Sequence, residues 1–343
     1  MSDKSNHQGR AYEYAWCLAL EQKLSVFKKV IVDKQNGFNA CYRAYESLEK
    51  SLQERYLESA KQGVLLLLDC EPLLSEVIGS SQNGITLSLQ KDKLDCEPLL
   101  SEVIGSSQNG ITLSLQKDKL GEIGDVRDIL IYFDRFCIGL SIKHNHDAIK
   151  HSRLSKNLDF GGKWLGVGVS QNYKDTIKPL FERLENAKKE GMLWRDFPNK
   201  EQEIYAPLLQ AFRKEVLRID ENKKNKVPQK MVEYLLGKYD FYKAILLERE
   251  QKTKLEAYHF HNTLNRSMKN KPKRIIPLSK LPTRMIYFDF KPKSFNTLEL
   301  VLDEEWSFSL RIHNASSRVE PSLKFDIKLL SKPESVAVFI VGF

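Results

Sequence analysis

Apolar residues near the start of the chain recur at intervals of three and four positions, which predicts a helix over residues 10–24. Its apolar stripe consists of Trp16, Cys17, Leu20 and Leu24. Glu13 lies on that same face. A carboxylate among apolar side chains is costly to bury without a partner. We therefore expect Glu13 to bind a metal ion, and an ion pair with Arg10 is the alternative.

Periodicity over the rest of the chain predicts an α/β fold, in which a mixed β-sheet is flanked by helices and followed by a β-rich C-terminal region. Helical spacing covers residues 39–61, 170–191, 200–218 and 228–247. Strand alternation covers residues 128–132, 137–143, 285–290, 297–302, 306–313 and 323–330.

One segment occurs twice in succession without a single difference. Leu68–Lys93 and Leu94–Lys119 both read LDCEPLLSEVIGSSQNGITLSLQKDK, which contains a helical start, a turn signal and a strand-like end. Two copies are fewer than the three that a solenoid requires. We expect the fold to need only one such unit, although the sequence does not distinguish the copies. Deletion of one copy, which moves the net charge from +9 to +11, should preserve activity.

Composition narrows the classes of protein that the chain can belong to. A hydrophobic content of 41% is typical of a globular protein, and without a membrane-spanning run or signal sequence we expect a cytoplasmic location. The five cysteines lack the spacing of a zinc site or disulfide framework, which predicts buried thiols. A net charge of +9 favours a polyanionic partner. The densest basic stretches, residues 222–230 and 266–274, would contact phosphates or form solvated linkers.

Two neighbouring strands carry residue types that suit metal-assisted hydrolysis of a phosphodiester, which requires carboxylates for Mg²⁺ and a nearby cation. If residues 134 and 135 form a two-residue turn, antiparallel pairing places Asp128 opposite Ser141. Asp128, Ser141 and Lys143 then share one face, and the apolar residues between them lie on the other. Asp125 stays an alternative ligand, because a bulge would reverse the parity.

This arrangement resembles the PD-(D/E)XK nuclease motif, in which an Asp precedes an acidic residue and a Lys that are separated by one position. Ser141 stands where the acid is usual, so a second metal ligand must come from elsewhere. Glu13 and the backbone carbonyl of Ile142 are the candidates. The string His144-Asn145-His146 suggests an HNH nuclease as the alternative, but that family spreads these residues over a ββα unit.

Longer blocks of sequence resemble the HaeIII family of type II restriction endonucleases. They are residues 8–16 (QGRAYEYAW), 124–166, 227–243 (VPQKMVEYLLGKYDFYK), 281–292 (LPTRMIYFDFKP) and 308–327. The resemblance implies Mg²⁺-dependent double-strand cleavage of DNA at GGCC and a bacterial host whose DNA a methyltransferase protects. We expect a nuclease core over residues 1–200, which includes the duplicated segment, and a helical and β-rich DNA-recognition region over residues 201–343. A non-catalytic DNA-binding protein with a degenerate site is the alternative.

Several residues are candidates for contact with DNA. Residues 306–313 (WSFSLRIH) alternate between an apolar and a polar face, so Arg311 and His313 point outward. Arginine reads guanine through two hydrogen bonds, which suits a site made of G and C. The further candidates are Asn314 and Arg318 beyond this strand, His144 and Asn145 beside Lys143, and Arg153, Ser155 and Lys156. A palindromic target favours a two-fold homodimer, and a monomer that cuts the strands in turn is the alternative.

Overall fold

The computed structural model describes residues 2–76, 110–116, 125–133, 136–145, 149, 152–222, 226–267 and 269–343. The α-helices in these ranges are α1 (Ser2–Leu24), α2 (Phe38–Glu46), α3 (Lys50–Cys70), α4 (Pro72–Glu76), α5 (Gln171–Lys189), α6 (Ala206–Asn222) and α7 (Val227–Leu236). The strands are β1 (Val30–Asp33), β2 (Ile111–Leu115), β3 (Ile129–Phe133), β4 (Phe136–His144), β5 (Arg153–Ser155), β6 (Phe241–Leu247), β7 (Lys252–Tyr258), β8 (Met285–Phe290), β9 (Thr297–Leu302), β10 (Ser307–His313), β11 (Ser322–Ser331) and β12 (Val338–Gly342). Over these residues the fold is mixed α/β, as predicted.

Two compact units divide the chain, and each is assembled from separate stretches. The first unit comprises Met1–His146, Tyr239–Ser279 and Glu334–Phe343, and the second comprises Asp147–Lys238 and Lys280–Pro333. The boundary expected at residue 200 follows the chain continuously, whereas this division does not. None of the helices in the described part of the chain is long and apolar enough to cross a membrane.

A seven-stranded mixed sheet forms the centre of the first unit, in the order β1-β2-β3-β4-β6-β7-β12. The pairs β1–β2 and β4–β6 are parallel, and the other neighbours are antiparallel. One face of the sheet packs on α1 and α3 and contributes Ile138, Leu140 and Ile142 to the core. The stripe predicted for the first helix is confirmed, since Trp16, Cys17, Leu20 and Leu24 are all buried.

Gly63 in α3 allows the two core helices to approach closely. A Cβ atom at this position would collide with the ring of Trp16 in α1. Any larger residue would therefore push α3 away from α1 and open the core beneath the sheet. Nearby, the Tyr12 hydroxyl shares a buried hydrogen bond of 2.8 Å with Ser59, whose hydroxyl also lies 2.7 Å from Thr253 on β7.

Two of the predicted helices are wrong in part. The helix expected over residues 39–61 is interrupted between α2 and α3. The helix expected over residues 228–247 ends at Leu236, after which Gly237 adopts a φ of 137° that only glycine tolerates well. Residues 241–247 then form β6, whose first six residues are all buried. A central strand covered on both faces has an almost continuous apolar run, which periodicity does not separate from a helix.

Among the described residues, the first repeat copy contributes its N-terminal part to the fold and the second copy contributes a segment near its C-terminal end. Residues 68–76 of the first copy form the end of α3 and α4, and Leu73 and Leu74 are buried there. Residues 111–115 of the second copy form β2, between β1 and β3, and all five are buried. Most of the intervening sequence lies outside the described residues. Within the described residues, the two parts correspond to different positions of the repeat, so no position of the repeat is used twice there.

A five-stranded antiparallel sheet forms the second unit, in the order β5-β11-β10-β9-β8. The four C-terminal strands predicted from alternation are confirmed. Trp306, Phe308, Leu310 and Ile312 are fully buried on one face. Phe212 of α6 packs on that face through Phe288 and Phe325, at ring-centroid distances of 6.2 and 5.4 Å.

Because β2 comes from the second repeat copy and α4 from the first, the same substitution should have different effects in the two copies. Leu113→Asp places a charge at a fully buried position of β2 and should lower the free energy of unfolding by several kcal/mol, about the cost of an unpaired buried charge. Leu87→Asp changes the equivalent residue of the first copy and leaves β2 unaltered, so it should have little effect. Urea denaturation followed by circular dichroism measures both.

A second pair of substitutions tests the N-terminal part of the repeat, for which α4 in the first copy is the described segment. Leu74→Asp should be destabilising, whereas Leu100→Asp should be tolerated. Equal destabilisation by the two members of either pair would contradict the composite arrangement. Deletion of one copy should leave cooperative unfolding intact, because every described position of the repeat keeps its residue type.

Candidate active site

The predicted hairpin of β3 and β4 is present with the expected register. Tyr132 pairs with Cys137, and the ladder ends at Ile129 and Leu140. Asp128 lies one residue beyond this end, and its amide still donates to the Leu140 carbonyl at 2.7 Å. Residues 134 and 135, the expected turn, lie outside the described residues.

One carboxylate oxygen of Asp128 accepts hydrogen bonds from three donors on β4. Asp128 Oδ2 accepts hydrogen bonds from Ile142 N at 2.6 Å, Lys143 Nζ at 3.0 Å and Ser141 Oγ at 3.3 Å. Its side chain is 24% exposed and that of Lys143 is 30% exposed, so solvent reaches both. The structure thus brings together the three side chains expected to share a face.

The opposite face of β4 explains why this cluster is held in place. Ile138, Leu140 and Ile142 are each no more than 2% exposed, so a register slip of one residue would exchange the apolar and polar faces. The Ile142 amide points along the strand edge to Asp128. The carbonyl of a strand residue lies on the same edge as its amide. This edge therefore offers Asp128 and the Ile142 carbonyl as neighbouring oxygen ligands.

Asp125, the alternative ligand, is engaged elsewhere. Its carboxylate accepts from Arg127 Nε and Nη2, both at 2.8 Å, and from the Arg127 amide at 3.2 Å. Both side chains of the pair are at most 10% exposed. The Arg127 guanidinium also lies 4.0 Å from the centroid of the Tyr239 ring. Asp125 thus takes part in a buried ion pair that anchors the start of β3.

Glu13 of α1 contacts Cys41 of α2, a residue whose pKa is also affected by Asp128. The Cys41 thiol donates a hydrogen bond of 3.2 Å to Glu13 Oε2. Burial, followed by the Glu13 carboxylate, raises the pKa of this thiol well above its usual range, and Asp128 acts in the same direction. Cys41 therefore stays a neutral thiol between two carboxylates. Sequence patterns do not predict this contact, because the two residues lie on separate helices.

The donor set fits a hard cation that keeps much of its water. Within the described ranges, no three or more His, Cys, Asp and Glu side chains cluster tightly enough to hold a metal ion by themselves. The candidate ligands predicted from the sequence are oxygens, from Asp128, the Ile142 backbone and Glu13, and the neutral Cys41 is a poor competitor. Mg²⁺ binds through one or two carboxylates together with water and phosphate oxygens, so it requires no larger protein cluster.

His144 and Asn145 belong to a hydrogen-bond network at the end of β4. His144 Nε2 lies 2.9 Å from the Tyr56 hydroxyl and 3.0 Å from Glu248 Oε2. The Asn145 amide nitrogen donates to Glu248 Oε2 at 3.0 Å, and the Glu248 backbone amide donates to Asn145 Oδ1 at 2.9 Å. Burial lowers the pKa of His144. His146, which the HNH alternative requires, lies outside the described residues.

Lys243 on β6 is a charged residue near this cluster that sequence reasoning missed. It pairs with Ser141 of β4 and with Glu256 of β7, so the three side chains share a face of the sheet. Lys243 is 7% exposed and Glu256 is 5% exposed. The segment was predicted to be helical, which hid its position beside Ser141.

Comparison with known proteins places the chain in a family. The sequence profile of the HaeIII restriction endonuclease family matches residues 9–98 and 93–333. The two matched ranges overlap at the repeat. The chain belongs to this family. It is also 41% identical over 340 residues to the type II restriction enzyme HaeIII of Haemophilus aegyptius, which covers 98% of this chain and 97% of that enzyme. No solved structure matches the chain.

Family membership confirms the predicted function at the level of a restriction endonuclease. Most residues predicted to contact DNA lie in the second unit. Arg153, Lys324 and His313 pair in register across β5, β11 and β10 of the second unit, so they form one row of basic residues. In the adjacent row, Arg311 pairs with Asp326, and their side chains form an ion pair of 3.1 Å. Arg311 is 55% exposed.

This polar face of the HaeIII-family chain contains carboxylates as well as cations. Arg153 binds Glu320 at 3.1 Å and Ser322 at 2.9 Å. Burial and the neighbouring Arg153 lower the pKa of Lys324, which the sequence analysis did not single out. Ser155 pairs with Ser322 at the edge of the sheet. The face is therefore positive but internally compensated.

Three other residues predicted to contact DNA, Asn314, Arg318 and Lys156, lie outside these two rows of paired residues. Asn314 is 9% exposed, and its side chain donates to the carbonyls of Ser316 and Arg318 and accepts from the amide of Glu320. These bonds hold the turn that follows β10. Arg318 is exposed on that turn. Lys156 binds Glu182 of α5 at 3.1 Å.

The different surroundings of the two aspartates predict different consequences for their substitution. Asp125→Asn removes the charge that compensates the buried Arg127, so it should lower the free energy of unfolding by about 3 to 5 kcal/mol. Asp128→Asn should change stability much less, because Asp128 is partly exposed. Urea denaturation compares them, and an equal loss for both would contradict the separate roles.

Proposed function

We propose that this chain is a type II restriction endonuclease that makes Mg²⁺-dependent double-strand cuts in DNA at GGCC. The observation that carries the proposal is the contact of Asp128 with Lys143 at 3.0 Å on the edge of β4. Near full-length similarity to the type II restriction enzyme HaeIII supports the substrate and the site. The arrangement of a carboxylate, a strand-edge carbonyl and a lysine supports a PD-(D/E)XK-like core.

Asp128 and the Ile142 carbonyl would hold the metal ion, with Glu13 as the second carboxylate. When bound, Mg²⁺ supplies a Lewis acid and a water of lowered pKa. The donors on Asp128 Oδ2 fix the orientation of the carboxylate before any ligand arrives. The other carboxylate oxygen, Asp128 Oδ1, would then bind the cation.

Lys143 supplies the positive charge of the site. Its ammonium lies on the same face as Asp128 and is partly exposed, so a phosphate that reaches this edge meets a cation. An ammonium at this position stabilises negative charge that develops on the phosphate oxygens during cleavage. It also orients water by donating hydrogen bonds.

Ser141 does not supply the negative charge that an acid would supply at this position. Its hydroxyl instead donates to Asp128 Oδ2, which helps to orient that carboxylate. The missing charge must then come from another element, and Glu13 on α1 carries it. The thiol hydrogen bond from Cys41 steadies the Glu13 carboxylate without neutralising it.

The polar face of the second sheet is the proposed recognition surface. Arg311 is the candidate reader of guanine, and Arg153, Lys324 and His313 lie in the adjacent row. We further propose a two-fold dimer on the palindromic target and a bacterial cytoplasmic setting, in which a separate methyltransferase protects host GGCC sites.

Cleavage of duplex DNA with a single GGCC site tests the catalytic residues. Asp128→Asn and Lys143→Met should each lower the single-turnover rate by about 10²- to 10³-fold or more, because the first removes a charge that would hold the metal ion and the second removes the cation that would stabilise the phosphate. Asp125→Asn, measured at a temperature where it is folded, should cleave at close to the wild-type rate. Absence of any Mg²⁺-dependent cleavage by the wild type, with DNA binding retained, would establish the non-catalytic alternative.

Glu13→Gln tests the second carboxylate. Loss of a ligand should raise the Mg²⁺ concentration at half-maximal rate by about tenfold or more, whereas Cys41→Ser, which keeps a hydrogen-bond donor, should not. A Mg²⁺ titration of the cleavage rate measures both variants. An unchanged midpoint in Glu13→Gln would exclude Glu13 as a ligand.

Arg311→Ala tests sequence selection. The variant should lose discrimination between GGCC and duplexes with one changed base pair, by about 1 to 3 kcal/mol, while binding of unrelated duplex DNA falls less. Competition binding in EDTA measures both quantities. Arg249→Ala, at an exposed arginine of the first unit, is the matched control. Unchanged discrimination by the Arg311 variant would contradict its assigned role.

A further inference from the structure

An aromatic side chain is exposed at the tip of the β8–β9 hairpin, in the second unit. The tip comprises residues 291–296 (KPKSFN), which include two lysines and no acidic residue. Phe295 is 47% exposed, and Lys291 and Lys293 are exposed beside it. Single exposed apolar residues are common on protein surfaces, so exposure alone does not indicate a function.

The tip is held in one conformation by its own hydrogen bonds. Lys291 N donates to the Thr297 carbonyl at 2.9 Å, and Ser294 N donates to the Lys291 carbonyl at 3.0 Å. The Ser294 and Thr297 hydroxyls donate to Asn296 Oδ1 at 3.1 and 3.0 Å. Phe295 is thus presented on a preorganised turn, which reduces the entropy lost when it binds a partner.

The tip is also tied to the strand that carries the predicted guanine reader. Ile312 N donates to the Asn296 carbonyl at 2.8 Å. Thr297, the residue after the tip, pairs with Arg311. The row of basic residues Arg153, Lys324 and His313 crosses the same end of the sheet, where Glu320 compensates Arg153. The exposed ring and its two lysines therefore lie at the same end of the sheet as these basic side chains.

We propose that the hairpin tip inserts Phe295 between base pairs of bound DNA, while Lys291 and Lys293 contact the flanking phosphates. This inference rests on the proposed function, because it takes DNA as the partner. Charge complementarity selects that occupant: the tip carries Lys291 and Lys293 beside the ring and no carboxylate of its own. Lys291 forms a long ion pair of 3.9 Å with Glu299 of β9, and both lysines stay exposed. Apolar wedges on DNA-binding proteins partly unstack a base step and kink the duplex by roughly 20 to 90°.

The test uses the full chain in EDTA and a short duplex with GGCC at its centre and a dye at each end. Wild-type binding should increase energy transfer between the dyes, because a kink shortens the distance between them. Phe295→Ser should bind about tenfold more weakly and lose that increase, since it removes the stacking surface. Leu330→Ser is the matched control, because Leu330 is 55% exposed at the opposite end of the same sheet.

The two lysines have a separate readout. Each phosphate contact contributes about 0.9 to the slope of log affinity against log salt, so the double variant Lys291→Ala/Lys293→Ala should lower that slope by about 1.8. Thermal unfolding of every variant should match the wild type, because these side chains lie on the surface.

Phe295→Ser with wild-type affinity and wild-type energy transfer would overturn the proposal. So would a change in self-association of that variant by analytical ultracentrifugation without a change in DNA binding, since the partner would then be a second copy of the chain. Failure of the proposed function is distinguishable, because it would appear first as absence of cleavage by the unsubstituted protein.

Discussion

The site depends on the pairing of β3 with β4, which brings the Asp128 carboxylate to the edge of a neighbouring strand. One carboxylate oxygen accepts from an amide, an ammonium and a hydroxyl that belong to three consecutive residues. The apolar face of β4 is buried against the core helices, so the same packing that stabilises the first unit also fixes the register. The hydrophobic core therefore determines where Asp128, Ser141 and Lys143 lie relative to one another, because it fixes the pairing of the two strands.

Charge compensation is the second recurrent feature. In the second unit, Arg311 and Arg153 each form an ion pair with a carboxylate. Such pairs keep long side chains in extended conformations over the sheet and limit indiscriminate attraction to polyanions.

The sequence predicted the parts of the fold in which one face is buried and the other is polar. The first helix, the β3–β4 hairpin and the four C-terminal strands all have that amphipathic pattern. Prediction was wrong for β6, because a strand buried on both faces shows no alternation, and Lys243 was missed with it. The contact of Glu13 with Cys41 joins separate helices, so it depends on tertiary packing that local patterns do not encode. Asn314 was expected to face DNA, yet its amide holds the backbone of its own turn.

The duplicated segment has a genetic consequence that follows from its composite use. Since the two copies are letter-identical, unequal recombination at any point within them would yield the same shorter protein. That protein would retain the end of α3, α4 and β2 with every residue type unchanged. The open reading frame can lengthen or shorten here while the buried strand between β1 and β3 keeps the same residues.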